Sequence, residues 1–121
     1  MTPREAALRA IKIGDIFHGT GDKSPSLLLV ATSITESTIN ARTITHQLEF
    51  KFDRRTGVGR EPKYGVLGTI DSVQPLPPEI YETLIDMDRR YHAGDDPKLT
   101  AAEKKALLFV YDFYDAYPIE P

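Results

Sequence analysis

The chain has 121 residues, of which 40% are hydrophobic and 27% are charged, so it suits one globular domain and leaves little room for a second full core. Its formal net charge is −3, which argues against a uniformly basic coat for nucleic acid or membranes. Because cysteine is absent, disulfides, thiolate metal sites and cysteine nucleophiles are excluded.

Charge is divided unevenly along the chain. Residues 1–70 carry ten Lys and Arg against seven Asp and Glu, whereas residues 71–121 carry five against eleven. The two parts therefore have opposite net charge and attract each other. No apolar run approaches the roughly 20 residues that a membrane span needs, and the amino terminus lacks the apolar stretch of a signal peptide. We expect no membrane contact and a cytoplasmic location.

The first predicted element is a short helix. Thr2 is suited to its N-cap, Pro3 to its first position, and Glu5 lies three residues after the cap, where it completes a capping box. Gly14 follows it. The β-branched and aromatic residues of 11–17 then predict a strand, and the glycines and proline of 18–25 predict a loop.

Four further strands are predicted in the middle of the chain. Residues 27–31 are apolar on both faces, which predicts a strand covered from both sides. A turn at 35–38 leads to a strand at 39–44. Residues 47–52 alternate apolar and polar without a fault, so this strand has one solvent-exposed face. A loop at 53–63 and a strand at 66–73 follow.

Two helices are predicted at the end of the chain. The first runs from about residue 78 to 92, where proline pre-sets the first turn, and its apolar stripe consists of Ile80, Leu84, Met87 and Tyr91. Asp95, Asp96 and Pro97 form a turn. Thr100 and Glu103 form a capping box that opens a helix at about 101–117.

Strands first and helices last indicate an α+β fold and a single domain over 1–121. We expect residues 11–73 to form a small antiparallel β-barrel, SH3-like, or a strongly curved sheet, made of about five strands. Residues 78–117 then form a helical hairpin that packs against it.

The basic segment 51–63 is the strongest local charge feature, with a net charge of +3. Its cations are Lys51, Arg54, Arg55, Arg60 and Lys63. Guanidinium groups beside glycine-rich backbone are suited to phosphate, so an anion or nucleic-acid surface is one interpretation. The glycine spacing matches neither the P-loop nor the dinucleotide motif. The alternative is a solvated hairpin loop that binds nothing.

Arg42 and His46 lie just before the alternating strand and extend this candidate surface. Together with His18 they offer a base, an acid and a cation, which RNA cleavage requires if the fold gathers them. The alternative is a surface histidine beside ordinary strand residues.

The opening at 11–16, the apolar strand after Pro25 and the late helix resemble small-barrel toxin endoribonucleases. The resemblance implies a ribonuclease activity on a small barrel. The chain departs from that family where an Arg-Pro pair is expected at the start of the second strand, because Ser24 precedes Pro25 here. No catalytic residue is carried over from the resemblance.

The last helix concentrates aromatic residues over more than one packing face. This surplus predicts a protein contact, with self-association as the leading form, through Phe109, Phe113, Tyr114 and Tyr117. The alternative is burial between the barrel and the preceding helix.

No metal or cofactor site is predicted. The three histidines are separated by 28 and 46 positions and match no ligand motif. We therefore expect a non-enzymatic binding or interaction domain, with a nucleic-acid-binding protein or a toxin-like endoribonuclease as the alternative.

Overall fold

The computed structural model describes residues 1–95 and 98–121. Six strands and three helices follow one another in these residues. In chain order they are α1 (Pro3–Arg9), β1 (Ile16–Gly21), β2 (Leu27–Ile34), β3 (Thr38–Thr43), β4 (Glu49–Asp53), β5 (Val58–Glu61), β6 (Val66–Ser72), α2 (Pro78–His92) and α3 (Ala101–Ala116).

The strands form a closed antiparallel barrel in which each strand pairs with the next and β6 returns to β1. The predicted small barrel followed by helices is confirmed. It has six strands instead of about five, because the predicted loop 53–63 contains β5. This strand has only four residues, among them Gly59, and it is ordered by its pairing with β4 and β6.

The first strand lies later in the chain than predicted. The sequence favoured a strand at 11–17 and a loop at 18–25, whereas β1 is Ile16–Gly21. His18 and Gly19 pair with Ser72 and Ile70 of β6, so a partner more than fifty positions away extends the strand through the glycines. Ile11 is instead buried in the same apolar cluster as Leu8 of α1, and its N–H donates to the Leu8 carbonyl.

β2 is buried on both faces over its first half, as its unbroken apolar run predicted. Leu29 and Ala31 belong to the cluster inside the barrel, whereas Leu28 and Val30 belong to a second cluster between barrel and helices. The barrel therefore has an outer side that the helices cover.

β4 alternates as predicted. Phe50 and Phe52 are buried and their rings stack with centroids 5.4 Å apart, while Glu49, Lys51 and Asp53 are exposed. The strand starts after Gln47 because that residue has a φ of 56°, outside the extended region.

The helical hairpin is confirmed. α2 has the predicted bounds, and α3 begins with the predicted capping box of Thr100 and Glu103. Glu103 is buried and forms an ion pair with Arg90 of α2. The predicted turn at 95–97 falls largely on residues 96 and 97, which lie outside the described residues. Among the helices described, none is both apolar and long enough to cross a bilayer.

Candidate functional site

The structure separates the seven residues predicted for anion binding into groups with different surroundings. Arg42 joins the barrel to α2: its Nε donates to Oδ1 of Asp88 at 2.9 Å and its Nη2 to Oδ2 at 2.8 Å. Gln47 donates to the same carboxylate at 2.9 Å. Burial alone would raise the pKa of Asp88, but the bonds from Arg42 and Gln47 outweigh it and the pKa is lowered. Arg42 therefore has a fixed internal partner.

Arg54 is also bonded within the chain. Its Nη1 donates to the carbonyl of Thr35 at 2.9 Å and its Nη2 to the carbonyl of Arg9 at 3.1 Å. The second bond satisfies a carbonyl at the carboxyl end of α1, where a cation is favoured. This side chain ties α1 to the β2–β3 turn.

His46 lies exposed between β3 and β4, and its Nδ1 shares a hydrogen bond of 2.9 Å with Thr45. In residues 1–95 and 98–121, no hydrogen bond joins any two of His18, Arg42 and His46. The cation that the RNA-cleavage hypothesis needs is paired with Asp88. The ribonuclease hypothesis stays a prediction.

The four remaining cations are exposed on or beside β4, β5 and β6, and we call them the basic face: Lys51, Arg55, Arg60 and Lys63. Lys51 of β4 lies directly opposite Arg60 of β5, and both line one shallow groove with exposed Val58. Arg55 and Lys63 lie in the turns at the two ends of β5. The Nζ of Lys63 lies 5.3 Å from the ring centre of Tyr64.

The two acidic residues of this segment are engaged by their own turns. Asp53 accepts backbone hydrogen bonds from Arg55 at 2.8 Å and Thr56 at 2.9 Å, and these bonds lower its pKa. Glu61 is buried and accepts from the backbone N–H groups of Lys63 and Tyr64. Backbone donors thus satisfy these carboxylates without using the cationic side chains.

A second candidate site, which we call the cleft, lies between the barrel and α3. It has a volume of about 440 Å³. Its barrel side is formed by four polar residues of β1, β6 and the β1–β2 loop, and its helix side by Tyr111, Asp112, Tyr114 and Asp115. The four are His18, Thr20, Ser26 and Asp71.

These four side chains form a continuous hydrogen-bonded chain. His18 Nδ1 lies 2.7 Å from Asp71 Oδ1, and His18 Nε2 lies 2.7 Å from Ser26 Oγ. The Thr20 hydroxyl donates to the other oxygen of Asp71 at 2.5 Å. Burial would raise the pKa of Asp71, but the bonds to His18 and Thr20 outweigh it and the pKa is lowered. An ionised carboxylate only accepts, so His18 Nδ1 donates to Asp71. In the tautomer with the proton on Nδ1, Nε2 is the acceptor for the Ser26 hydroxyl.

Tyr114 holds the histidine from the helix side. Its ring centre lies 5.4 Å from that of His18, and its hydroxyl donates to the carbonyl of Ile16 at 3.4 Å. Burial raises the pKa of Tyr114 far above its usual range, so it is neutral at every physiological pH. The histidine ring is therefore held between the barrel and α3.

Ser26 and Asp71 were not singled out from the sequence. They lie 8 and 53 positions from His18, and only the pairing of β1 with β2 and β6 brings them together. The sequence offers no spacing rule for such a group, although His18 itself was noted as a titratable candidate.

The aromatic residues of α3 have mixed surroundings. Tyr114 is buried within the chain, whereas Phe109 and Tyr117 are 38% and 50% exposed. Phe113 is partly buried and packs against both of these rings. Their proposed role in protein contact stays a prediction, and it concerns the three residues other than Tyr114.

Over residues 1–95 and 98–121, no cluster of three or more His, Asp or Glu side chains is arranged to hold a metal ion. Comparisons of the chain with protein-family models, with curated proteins and with solved structures found no match.

Proposed function

We propose that this chain is a small binding domain that takes single-stranded nucleic acid on its basic face. The observation that carries the proposal is the cross-strand pair of Lys51 and Arg60, exposed on a side of the barrel that also presents Val58 and Leu67 to solvent. The opposite side, at Leu28 and Val30, is covered by the helices. Cations gathered on an open sheet surface are suited to a phosphate backbone.

Apolar groups among the cations favour a single strand over a duplex. Tyr64 is 57% exposed, Val58 49% and Leu67 41%. The bases of a single strand present their flat faces to such side chains, whereas stacking hides those faces in a duplex. Arg55 and Lys63 lie in the turns beyond the two ends of β5, whose four residues span on the order of 13 Å. That distance matches a few nucleotides of backbone.

Fluorescence anisotropy with a labelled oligouridine tests the proposal. Neutralising four phosphates of a single strand gives a slope of about −2.8 for log K against log salt concentration. Removing Lys51 and Arg60 together leaves two contacts and a slope of about −1.4. The matched control replaces Lys104 and Lys105, two exposed cations on α3, by alanine and leaves the slope unchanged.

Absence of binding at low salt refutes the proposal, and so does an equal loss of affinity in the Lys104/Lys105 control. Electrophoresis of the RNA after the titration checks the ribonuclease alternative. If the RNA is cut, a His46→Ala variant that binds RNA without cutting it supports that alternative.

Two further expectations belong to this proposal. The first is a cytoplasmic location, because a chain without cysteine needs no oxidising compartment, and fractionation of the source cells tests it. Self-association through α3 is supported by the exposed rings of Phe109 and Tyr117. Sedimentation velocity tests the association, and a strictly monomeric profile at high protein concentration refutes it.

A further inference from the structure

We infer that the cleft is a hydrolytic site in which Ser26 is the nucleophile, His18 the general base and Asp71 the residue that positions His18. The inference is independent of the basic face. The hydroxyl, the imidazole and the carboxylate follow one another at 2.7 Å and 2.7 Å, the order and spacing of a serine nucleophile activated by a histidine–aspartate pair. The chain lies in the wall of an open cleft, where a substrate reaches it.

The surroundings prepare each group for its role. His18 is only 13% exposed, and its bond to Asp71 fixes the ring with Nε2 towards Ser26. Thr20 holds the second oxygen of Asp71, so the carboxylate cannot rotate away from the ring. Tyr114 packs against the imidazole from α3. A ring held in this way has one orientation available for proton transfer.

The lining of the cleft selects the substrate. Its volume of about 440 Å³ falls within the range of small-molecule sites. The cleft is lined by the carboxylates of Asp71, Asp112 and Asp115. Within the part of the chain that the structure describes, no Lys or Arg side chain lines it. Negative charge repels anionic substrates, while Tyr111 and Pro25 offer apolar contact to an acyl chain. The substrate class is therefore a small carboxylic ester that carries no negative charge.

The reaction proceeds in two balanced steps. Ser26 Oγ bonds to the acyl carbon and its proton passes to His18 Nε2; the bond to the alcohol oxygen breaks, and that oxygen takes the proton from His18. Water then attacks the acyl carbon and gives a proton to His18, which returns it to Ser26 Oγ as the acid leaves. The sum is ester plus water to acid plus alcohol.

Two measurements test Ser26. A fluorophosphonate probe is expected to label it, as mass spectrometry of the digested protein will show, and p-nitrophenyl acetate is expected to be hydrolysed. Ser26→Ala should abolish labelling and lower kcat/KM at least about 100-fold. Ser37→Ala, which removes an exposed hydroxyl from the β2–β3 turn, should change neither.

Asp71→Asn tests the positioning role. It should lower kcat with little effect on KM and change the pH profile, because the amide no longer fixes the proton on Nδ1. Thr20→Val should have a smaller effect of the same kind. The inference is overturned if the wild-type protein is neither labelled by the probe nor active as an esterase. It is also overturned if the Ser26→Ala variant retains both the labelling and the esterase activity. The oligouridine titration of the Ser26→Ala protein tests the proposed function separately, because Ser26 does not belong to the basic face.

Discussion

Replacing Arg42 by alanine distinguishes a binding residue from a structural one. The sequence placed Arg42 on the candidate anion surface, whereas its guanidinium forms a two-bond fork with Asp88 of α2. The side chains of the pair are only 20% and 7% exposed. Arg42→Ala therefore leaves a buried carboxylate without its cation.

The expected loss of stability follows from these contacts. Breaking a buried ion pair by removing one partner costs about 3–5 kcal/mol. Gln47 still donates to Asp88 at 2.9 Å, and Arg42 is partly exposed, so the cost falls to about 2–3 kcal/mol. For a chain of this length that corresponds to a Tm lower by roughly 8–12 °C. Arg42→Lys keeps the charge and loses the fork, and we expect an intermediate value.

Thermal and urea unfolding measure this loss, and the oligouridine titration measures affinity on the same proteins. The matched control is Arg89→Ala, because Arg89 is 72% exposed and lies 3.4 Å from Asp86; its cost should stay below about 0.5 kcal/mol. A double-mutant cycle with Asp88→Ala should give a coupling of about 1.5–3 kcal/mol. A Tm loss no larger than that of the control, or weakened RNA binding by folded Arg42→Ala protein, refutes the reasoning.

Two further predictions concern the loss of stability at acid pH and the close approach of β5 to β4 at Gly59. Folding lowers the pKa of Asp88, so the ionised carboxylate stabilises the fold at a pH above its unfolded pKa, and this stabilisation is lost as the pH falls through the folded pKa. Asp88→Asn should therefore flatten the decline in Tm below about pH 4. Gly59→Ala places a Cβ 2.3 Å from the Lys51 carbonyl oxygen and should cost about 3 kcal/mol or more in urea unfolding. Gly65→Ala, at φ +69° in open space, should cost only about 1–2 kcal/mol. A flat pH response in the wild type, or equal costs for the two glycines, contradicts these expectations.

Local patterns in the sequence were enough to locate most elements. The alternation around Phe50 and Phe52, the proline before α2 and the capping box at Thr100 each depend on residues within a few positions of one another. The doubly apolar run of β2 even predicted a strand covered on both faces. Such signals follow from backbone geometry and solvent exposure, so they can be recognised without knowing which distant residues pack against the element.

Only the tertiary structure decided which strands and side chains lie next to one another. β5 is a strand because β4 and β6 lie on either side of it, and β1 extends to Gly21 because β6 pairs with it. The same pairing sets His18 between Ser26 and Asp71, and the docking of α2 commits Arg42 to Asp88 instead of leaving it to a ligand. A sequence shows which side chains carry charge or a hydroxyl, but their partners depend on strand register and helix packing, which bring together residues up to 98 positions apart.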